Sequence, residues 1–183
     1  YVIKEKNVPD HYKSSVEGHD ITNVRIGKTE VSGTKHWKDN KVEDRPESIQ
    51  VNLLRNNVVI DSTTVTADDN WKYSFTDLEK YDEDGKYYSY AVKEEQVPGY
   101  TPLVNGFDII NTRSEKTTIE ITKGWLDGES TDRPKSITVY IYQNEKPYDT
   151  VNIQAEDGWV YELVDVEAFD QDGQPYVYTI KEK

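Results

Sequence analysis

Three polar residues of this chain stand where an alternating strand pattern places apolar side chains. Lys35 shares its phase with the valine, glycine and tryptophan of "VSGTKHW", and Glu94 shares its phase with the tyrosines and valine of "YSYAVKE". Asn111 follows a phenylalanine and an isoleucine at the same spacing in "FDIIN". Burying a lysine and a glutamate is costly unless the two groups pair or neutralise each other. We therefore expect these three side chains to meet.

A lysine, a glutamic acid and an asparagine held in contact can form a new covalent bond. In an apolar site a lysine tends to lose its proton and a glutamate tends to keep one. The neutral amine is a nucleophile, and the acid can polarise the asparagine carbonyl and shuttle protons. Attack on the side-chain carbon would expel ammonia and leave an isopeptide cross-link between Lys35 and Asn111. Contact within one molecule supplies much of the rate.

Each residue also has a simpler interpretation. A single lysine on an alternating strand often lies at an edge with its ammonium in water. A glutamate at a strand end is often solvated, and an asparagine often caps a turn. The recurrence of these residues argues against the simpler interpretations. The glutamate has equivalents at Glu5 and Glu182, the lysine has one at Lys123, and the asparagine has one at Asn23.

The recurrence belongs to an internal repeat that covers the chain. "TKHWKD" returns as "TKGWLD" and "DRPESIQV" returns as "DRPKSITV", each 88 residues later. "DITN" near the start returns as "DIIN" with the same spacing. Repeats of this kind indicate tandem structural modules. We assign residues 1–27 to the tail of a preceding module, 28–113 to a complete module, and 114–183 to a third module without its last strand.

The modules are predicted to be all-β. Short alternating segments rich in Val, Ile, Thr and Tyr predict strands at 48–54, 58–65, 71–77 and 86–94, and turn residues separate them. About seven strands in fewer than a hundred residues indicate a small β-sandwich. The segment 76–81 could form a single helical turn.

The composition excludes several classes of function. A net charge of −13 opposes binding to nucleic acid or to anionic membrane surfaces. The chain has no Cys, so it has neither disulfides nor thiolate metal sites. It has no apolar run long enough to span a bilayer, which argues against membrane insertion. Its abrupt start at "YVIKEK" suggests a piece cut from a longer protein.

The motifs "TKHWKDN", "DRPESIQVNLL", "YAVKEEQVPGY" and "DIINT" together resemble the Cna B-type domain, the repeated stalk module of Gram-positive surface adhesins. The resemblance implies a reversed-immunoglobulin-like β-sandwich, an extracellular position on the cell wall and a non-catalytic role as a spacer. It also implies an intramolecular bond from Lys35 to Asn111, assisted by Glu94. Lys123 and Glu182 match in the third module, and Glu5 and Asn23 match in the first segment, but neither partial module holds all three residues.

Other functions have weaker support. A binding module that grips a host ligand could use Tyr140 and Tyr142, which lie opposite an apolar phase and are expected to be exposed. The acidic segments 81–85 and 169–173 each end in a glycine and could attract calcium, but they are also common hairpin turns. The histidines lack metal-ligand spacing, and no enzyme motif or cofactor site is evident, so we expect neither metal nor cofactor.

The unmatched partial modules predict an exchange of strands. A sandwich without a terminal strand exposes an edge that invites strand addition. We expect residues from about Val16 to Val24 to dock on the module at 116–183, with Asn23 near Lys123. A neighbouring chain is the expected donor, which would give head-to-tail assembly. The alternative is that residues 1–27 are disordered.

Overall fold

A computed structural model describes residues 1–128 and 130–183 of the chain. In this part of the chain the structure is built from strands, with one short 3-10 turn at Val42–Asp44 and no α-helix. The strands are β1 (Tyr12–Glu17), β2 (Asp20–Arg25), β3 (Lys28–Lys38), β4 (Ser48–Arg55), β5 (Val58–Thr66), β6 (Lys72–Glu79), β7 (Tyr90–Glu94), β8 (Tyr100–Asn105), β9 (Asp108–Arg113), β10 (Lys116–Thr122), β11 (Ser136–Gln143), β12 (Lys146–Gln154), β13 (Val160–Glu167) and β14 (Tyr178–Glu182).

The chain divides into two compact units. The first contains Tyr1–Trp37, Glu43–Val97 and Pro102–Asn111, and the second contains Lys38–Val42, Pro98–Thr101 and Thr112–Lys183. Each unit is described separately below.

The first unit contains the strands of the predicted complete module, arranged in two sheets. One sheet has the order β6-β3-β9-β8 and the other has the order β5-β4-β7. Both contribute alternating side chains to one core, which includes Val31, Phe75 and Ile109 from the first sheet and Val51 and Leu53 from the second. Alternation of this kind buries one face of each strand and leaves the other to solvent. The prediction of an all-β sandwich with seven strands, β3 to β9, is confirmed.

The second unit repeats this plan with fewer strands. Its sheets have the orders β10-β13 and β12-β11-β14, and its core includes Ile121, Val139, Ile141, Ile153 and Leu163. Strand β10 corresponds to β3 and strand β13 corresponds to β6. In the first unit β3 lies between β6 and β9, whereas β10 pairs with β13 alone among the described strands.

Strands β1 and β2 form an antiparallel hairpin in the first segment of the chain. Its register runs from Tyr12 opposite Arg25 to Glu17 opposite Asp20. Gly18 forms the turn with a φ of 61°, a conformation that glycine adopts without steric cost. The structure therefore differs from the alternative of a disordered segment 1–27. In this structure residues Tyr12–Arg25 pair with each other as the hairpin β1–β2.

Three local predictions are wrong. Residues up to Glu79 of the predicted helical turn belong to β6, because they pair with β3 through a bulge at Asp77, whose φ is 57°. Strand β7 begins at Tyr90 rather than at residue 86, since the preceding residues form only an isolated bridge. Tyr140 and Tyr142 are half-buried rather than exposed, so the tyrosine-based binding surface loses its main support.

Gly33 shows how tightly β3 and β9 are packed, and this gives a testable expectation. A Cβ atom added at Gly33 would lie 2.0 Å from the backbone oxygen of Phe107. We expect Gly33→Ala to push the strands apart and to lower the free energy of unfolding by about 1–3 kcal/mol. Gly124→Ala is the control, because a Cβ there meets nothing within 4 Å. Equal denaturant midpoints for the two variants would contradict this packing.

Candidate functional site

The three predicted site residues lie in the core of the first unit. Lys35 is on β3, Asn111 is on the neighbouring strand β9, and Glu94 is on β7 in the opposite sheet. Their exposed fractions are 2 %, 0 % and 6 %, in that order, and they are the buried polar residues of the described chain. The interpretation of Lys35 as a solvated edge residue is therefore wrong.

Lys35 and Glu94 form a buried pair across the core. The Lys35 Nζ atom lies 3.1 Å from Glu94 Oε1, and both side chains are at most 1 % exposed. The distance is that of an ion pair, and neither Glu94 oxygen has a partner with regular hydrogen-bond geometry. A buried pair of this kind is expensive unless the desolvated groups are compensated.

Asn111 is the most unusual of the three residues. Its side-chain oxygen and nitrogen are both buried, and neither has a hydrogen-bond partner. An unsatisfied buried polar atom costs about 1–3 kcal/mol, so a side chain with two such atoms needs an explanation. Strands β3 and β9 are hydrogen-bonded neighbours, and Asp108 on β9 accepts a 2.8 Å bond from the Thr34 amide on β3.

Aromatic rings form the wall around the lysine. The Lys35 Nζ atom lies 4.4 Å from the ring centre of Trp37, and Trp71 packs edge-on against Trp37 at 5.2 Å. Burial lowers the pKa of the Lys35 amine to about 8, although the nearby charge of Glu94 partly opposes this change. The neutral amine, which is the nucleophilic form, is therefore easier to reach near neutral pH than in an ordinary lysine.

Two residues of the site were missed by the sequence analysis. Trp71 completes the aromatic wall, and the Tyr73 hydroxyl donates a hydrogen bond to the Phe107 carbonyl beside β9. Burial raises the pKa of Tyr73 to about 12, so this hydroxyl keeps its proton. Both residues recur 88 positions later as Trp159 and Tyr161, and this repetition was the available signal.

The two partial modules hold incomplete versions of the site. Lys123 Nζ lies 2.9 Å from Glu182 Oε2, with Trp125 at 4.6 Å from the amine. In the first segment the Asn23 amide donates a 3.1 Å hydrogen bond to Glu5. The glutamate thus contacts the lysine in one partial site and the asparagine in the other.

The acidic turns are organised by their own backbone. Asp82 accepts bonds from the amides of Asp84 and Lys86, and Asp170 accepts equivalent bonds from Asp172 and Gln174. This is the geometry of a side chain that caps its own turn. Among residues 1–128 and 130–183 no group of three or more histidine or acidic residues is arranged to hold a metal ion.

The titration of Lys35 gives a pH-dependent prediction. In Asn111→Ala the Lys35 amine remains free, because it has no asparagine to react with. Between the folded-state pKa of about 8 and the ordinary lysine pKa of 10.5, the amine is protonated in the unfolded chain and neutral in the folded chain. Stability should therefore rise with pH across that window. The measurement is the denaturant midpoint at several pH values, compared with Lys35→Ala/Asn111→Ala, which lacks the titrating amine but keeps the tyrosines. Parallel pH curves for the two variants would contradict the lowered pKa.

Both repeats match the sequence profile of a known domain family. The sequence profile of the Cna protein B-type domain matches residues 31–112 and 119–183. The chain belongs to the Cna protein B-type domain family. The resemblance seen in the sequence motifs is thereby confirmed, and the two matched ranges follow the repeat. B-type domains are structural repeat modules rather than known enzymes.

Relatives of this B-type domain pair are surface proteins. The chain is 36 % identical over 196 aligned residues to a collagen adhesin of Staphylococcus aureus, and it spans 16 % of that protein's length. The crystal structure of two B repeat units of the S. aureus collagen-binding protein is 34 % identical, with a TM-score of 0.49 over 95 % of this chain and 49 % of that one. A single B repeat unit is 36 % identical, with a TM-score of 0.47 over 85 % of this chain and 86 % of that one.

In the described part of this B-type domain pair no helix is long and apolar enough to cross a membrane.

Proposed function

We propose that this chain is a stalk segment of a bacterial cell-surface adhesin, whose complete module is locked by an isopeptide bond between Lys35 and Asn111. The main support for the bond is that buried polar atoms of Lys35, Glu94 and Asn111 have no hydrogen-bond partner. An amide bond between Lys35 and Asn111 removes the buried charge of the lysine and accounts for the unsatisfied amide. The family and the S. aureus relative support the surface location.

The bond forms in a single turnover without any cofactor. Lys35 passes a proton to Glu94 across 3.1 Å, which leaves a neutral amine and a carboxylic acid. The amine attacks the side-chain carbon of Asn111, while the acid hydrogen-bonds the amide oxygen and stabilises its developing charge. Glu94 then helps to move the proton of the attacking nitrogen onto the departing amino group. The C–N bond to that group breaks, ammonia leaves, and the new Lys35–Asn111 amide remains.

The positions of the joined residues explain why such a bond suits a stalk. Lys35 lies in the first strand of the complete module and Asn111 lies in its last strand. A pulling force applied to the two ends of the module would pass through the cross-link before it reached most of the sandwich. The strands between the two residues would then stay folded under load.

The test is to pull single chains from their two ends. The wild-type chain should show no extension from the segment between Lys35 and Asn111. Asn111→Ala should release that segment as a separate unfolding step, while Asn23→Ala serves as a control that leaves the locked module unchanged. Release of the segment from wild-type chains would contradict the proposed stalk role.

A further inference from the structure

The beginning of β6 contacts both of the strands that carry the reacting residues. The Trp71 carbonyl accepts a 2.8 Å hydrogen bond from the backbone amide of Lys35. Two residues later, the Tyr73 hydroxyl donates a hydrogen bond to the Phe107 carbonyl at the beginning of β9. We propose that Tyr73 is a positioning residue that reaches across β3 and sets the register in which β9 presents Asn111 for the reaction. The inference rests on the bond formation proposed above.

Tyr73 reaches β9 through a gap in the strand that lies between them. Strand β3 separates β6 from β9, and Gly33 is the residue of β3 that pairs with Tyr73. A Cβ atom added at Gly33 would lie 2.7 Å from the Tyr73 hydroxyl oxygen and 2.0 Å from the Phe107 oxygen. A side chain at position 33 would therefore occupy the place where the hydroxyl meets the carbonyl. Glycine keeps this path open.

A second hydrogen bond holds the same part of β9. Asp108 Oδ1 accepts a 2.8 Å bond from the Thr34 amide, which follows Gly33 on β3. Phe107 and Asp108 are adjacent in sequence, so two neighbouring side-chain bonds fix the beginning of β9. We call the bonds of Tyr73 to Phe107 and of Thr34 to Asp108 the β9 clamp.

The register of β9 decides whether Asn111 can react. Ile109 and Asn111 alternate on one face of the strand, and both are 0 % exposed. A slip of one residue would turn this face away from the core, and a slip of two would move Asn111 by about 6–7 Å along the strand. A misplacement of about 1 Å can already slow a reaction by about 100-fold. A clamp on the beginning of β9 therefore controls the rate of bond formation.

The protonation state of Tyr73 suits a clamp that must hold while the lysine loses its proton. Burial raises the pKa of Tyr73 to about 12, whereas burial lowers the pKa of Lys35 to about 8. The hydroxyl thus remains a hydrogen-bond donor at every pH at which the amine begins to become neutral. A residue that only positions β9 should change the rate without changing its dependence on pH.

The second unit provides a matched control. Tyr161 is the counterpart of Tyr73, but it pairs with Ile121, which stands at the position equivalent to Gly33. Ile121 is buried in the core of its unit, so its side chain fills the space that Gly33 leaves open. Tyr161→Phe removes the same hydroxyl group without touching the β9 clamp.

The experiment measures the rate of bond formation in the newly made full chain. Cell-free synthesis is stopped, samples are taken on ice over time, and mass spectrometry quantifies the branched peptide that joins Lys35 to Asn111. Because the hydroxyl fixes the register, Tyr73→Phe should slow this step by about tenfold to 100-fold at each pH. Tyr161→Phe should react at the wild-type rate.

Further variants separate register from general stability. Asp108→Ala should slow the reaction, whereas Asp108→Asn keeps an acceptor oxygen for the Thr34 amide and should restore the rate. Tyr73→Phe should add no further slowing to Gly33→Ala, because the added Cβ already displaces the hydroxyl. Val65→Ala removes a buried side chain from the opposite sheet and should keep the wild-type rate. Denaturant midpoints, measured with Asn111→Ala added to each variant, give their stabilities without the bond.

Three outcomes would overturn the inference alone. These are a wild-type rate in Tyr73→Phe, a pH profile shifted by Tyr73→Phe, and a slowing in Val65→Ala that matches that of Tyr73→Phe, since the rate would then follow stability. Absence of the branched peptide from the wild-type chain at all times would overturn the proposed cross-link and this inference with it. The two failures are thus distinguishable.

Discussion

Replacing Glu94 by alanine is expected to leave Lys35 and Asn111 unjoined in a folded chain. The Glu94 carboxyl group lies 3.1 Å from the Lys35 amine. Its removal takes away the group that accepts the lysine proton and polarises the asparagine carbonyl. The intact mass should therefore equal that of the unmodified sequence, whereas the wild-type chain should weigh less by one ammonia. Glu94→Ala also leaves a lysine in the core without its partner, so the variant should be less stable.

Two further variants define the role of Glu94. Glu94→Gln keeps the size and the hydrogen-bonding capacity of the side chain but cannot take the lysine proton, so it should also remain unjoined. Glu182→Ala is the matched control, because it removes the equivalent glutamate of the other module. It should not change the loss of one ammonia that accompanies the Lys35–Asn111 bond. Formation of the bond at the wild-type level in Glu94→Ala would show that the carboxyl group has no part in the reaction.

Replacing Lys35 by alanine is expected to give the largest change in stability. A cross-link between Lys35 and Asn111 closes most of the module into a loop, and it restricts the unfolded chain. By analogy with a disulfide that closes a loop of this length, its loss should cost about 4 kcal/mol. Amide hydrogen exchange in β4 is a suitable measurement, because this central strand belongs to the same sandwich and reports its global opening.

The control for this loss is Lys123→Ala in the other module. Lys123 has an equivalent glutamate contact but lies outside the proposed Lys35–Asn111 cross-link, and its side chain is 24 % exposed. Its replacement should therefore leave exchange in β4 unchanged. If Lys35→Ala lowered the protection of β4 by no more than Lys123→Ala, a cross-link could not be the main stabilising feature of the module.

Much of the site could be predicted from the sequence because two independent signals agreed. The alternation of apolar and polar residues along the strands placed Lys35, Glu94 and Asn111 on the buried faces. The repeat of 88 residues showed that this pattern was not accidental. The strand alternation also sufficed for the all-β sandwich. These are local signals, and burial of one strand face enforces them strongly.

Other features depended on contacts that a period cannot show. The sequence did not reveal that Glu94 reaches the lysine from the opposite sheet, since sheet membership is set by pairing with β4. It left open a single helical turn at 76–81, where a bulge at Asp77 keeps the strand paired. It also missed Trp71, because this ring packs against Trp37, which is far away in sequence, and a local pattern does not show such a contact.

The most direct test of the proposed cross-link is sequencing of the peptide that contains it. After proteolysis of the wild-type chain, mass spectrometry should find one branched peptide in which the Lys35 and Asn111 side chains are joined with the loss of ammonia. This is more decisive than intact mass, because an asparagine that cyclises on its own backbone also loses ammonia. Two separate linear peptides, one with an unmodified Lys35 and one with an unmodified Asn111, would contradict the account.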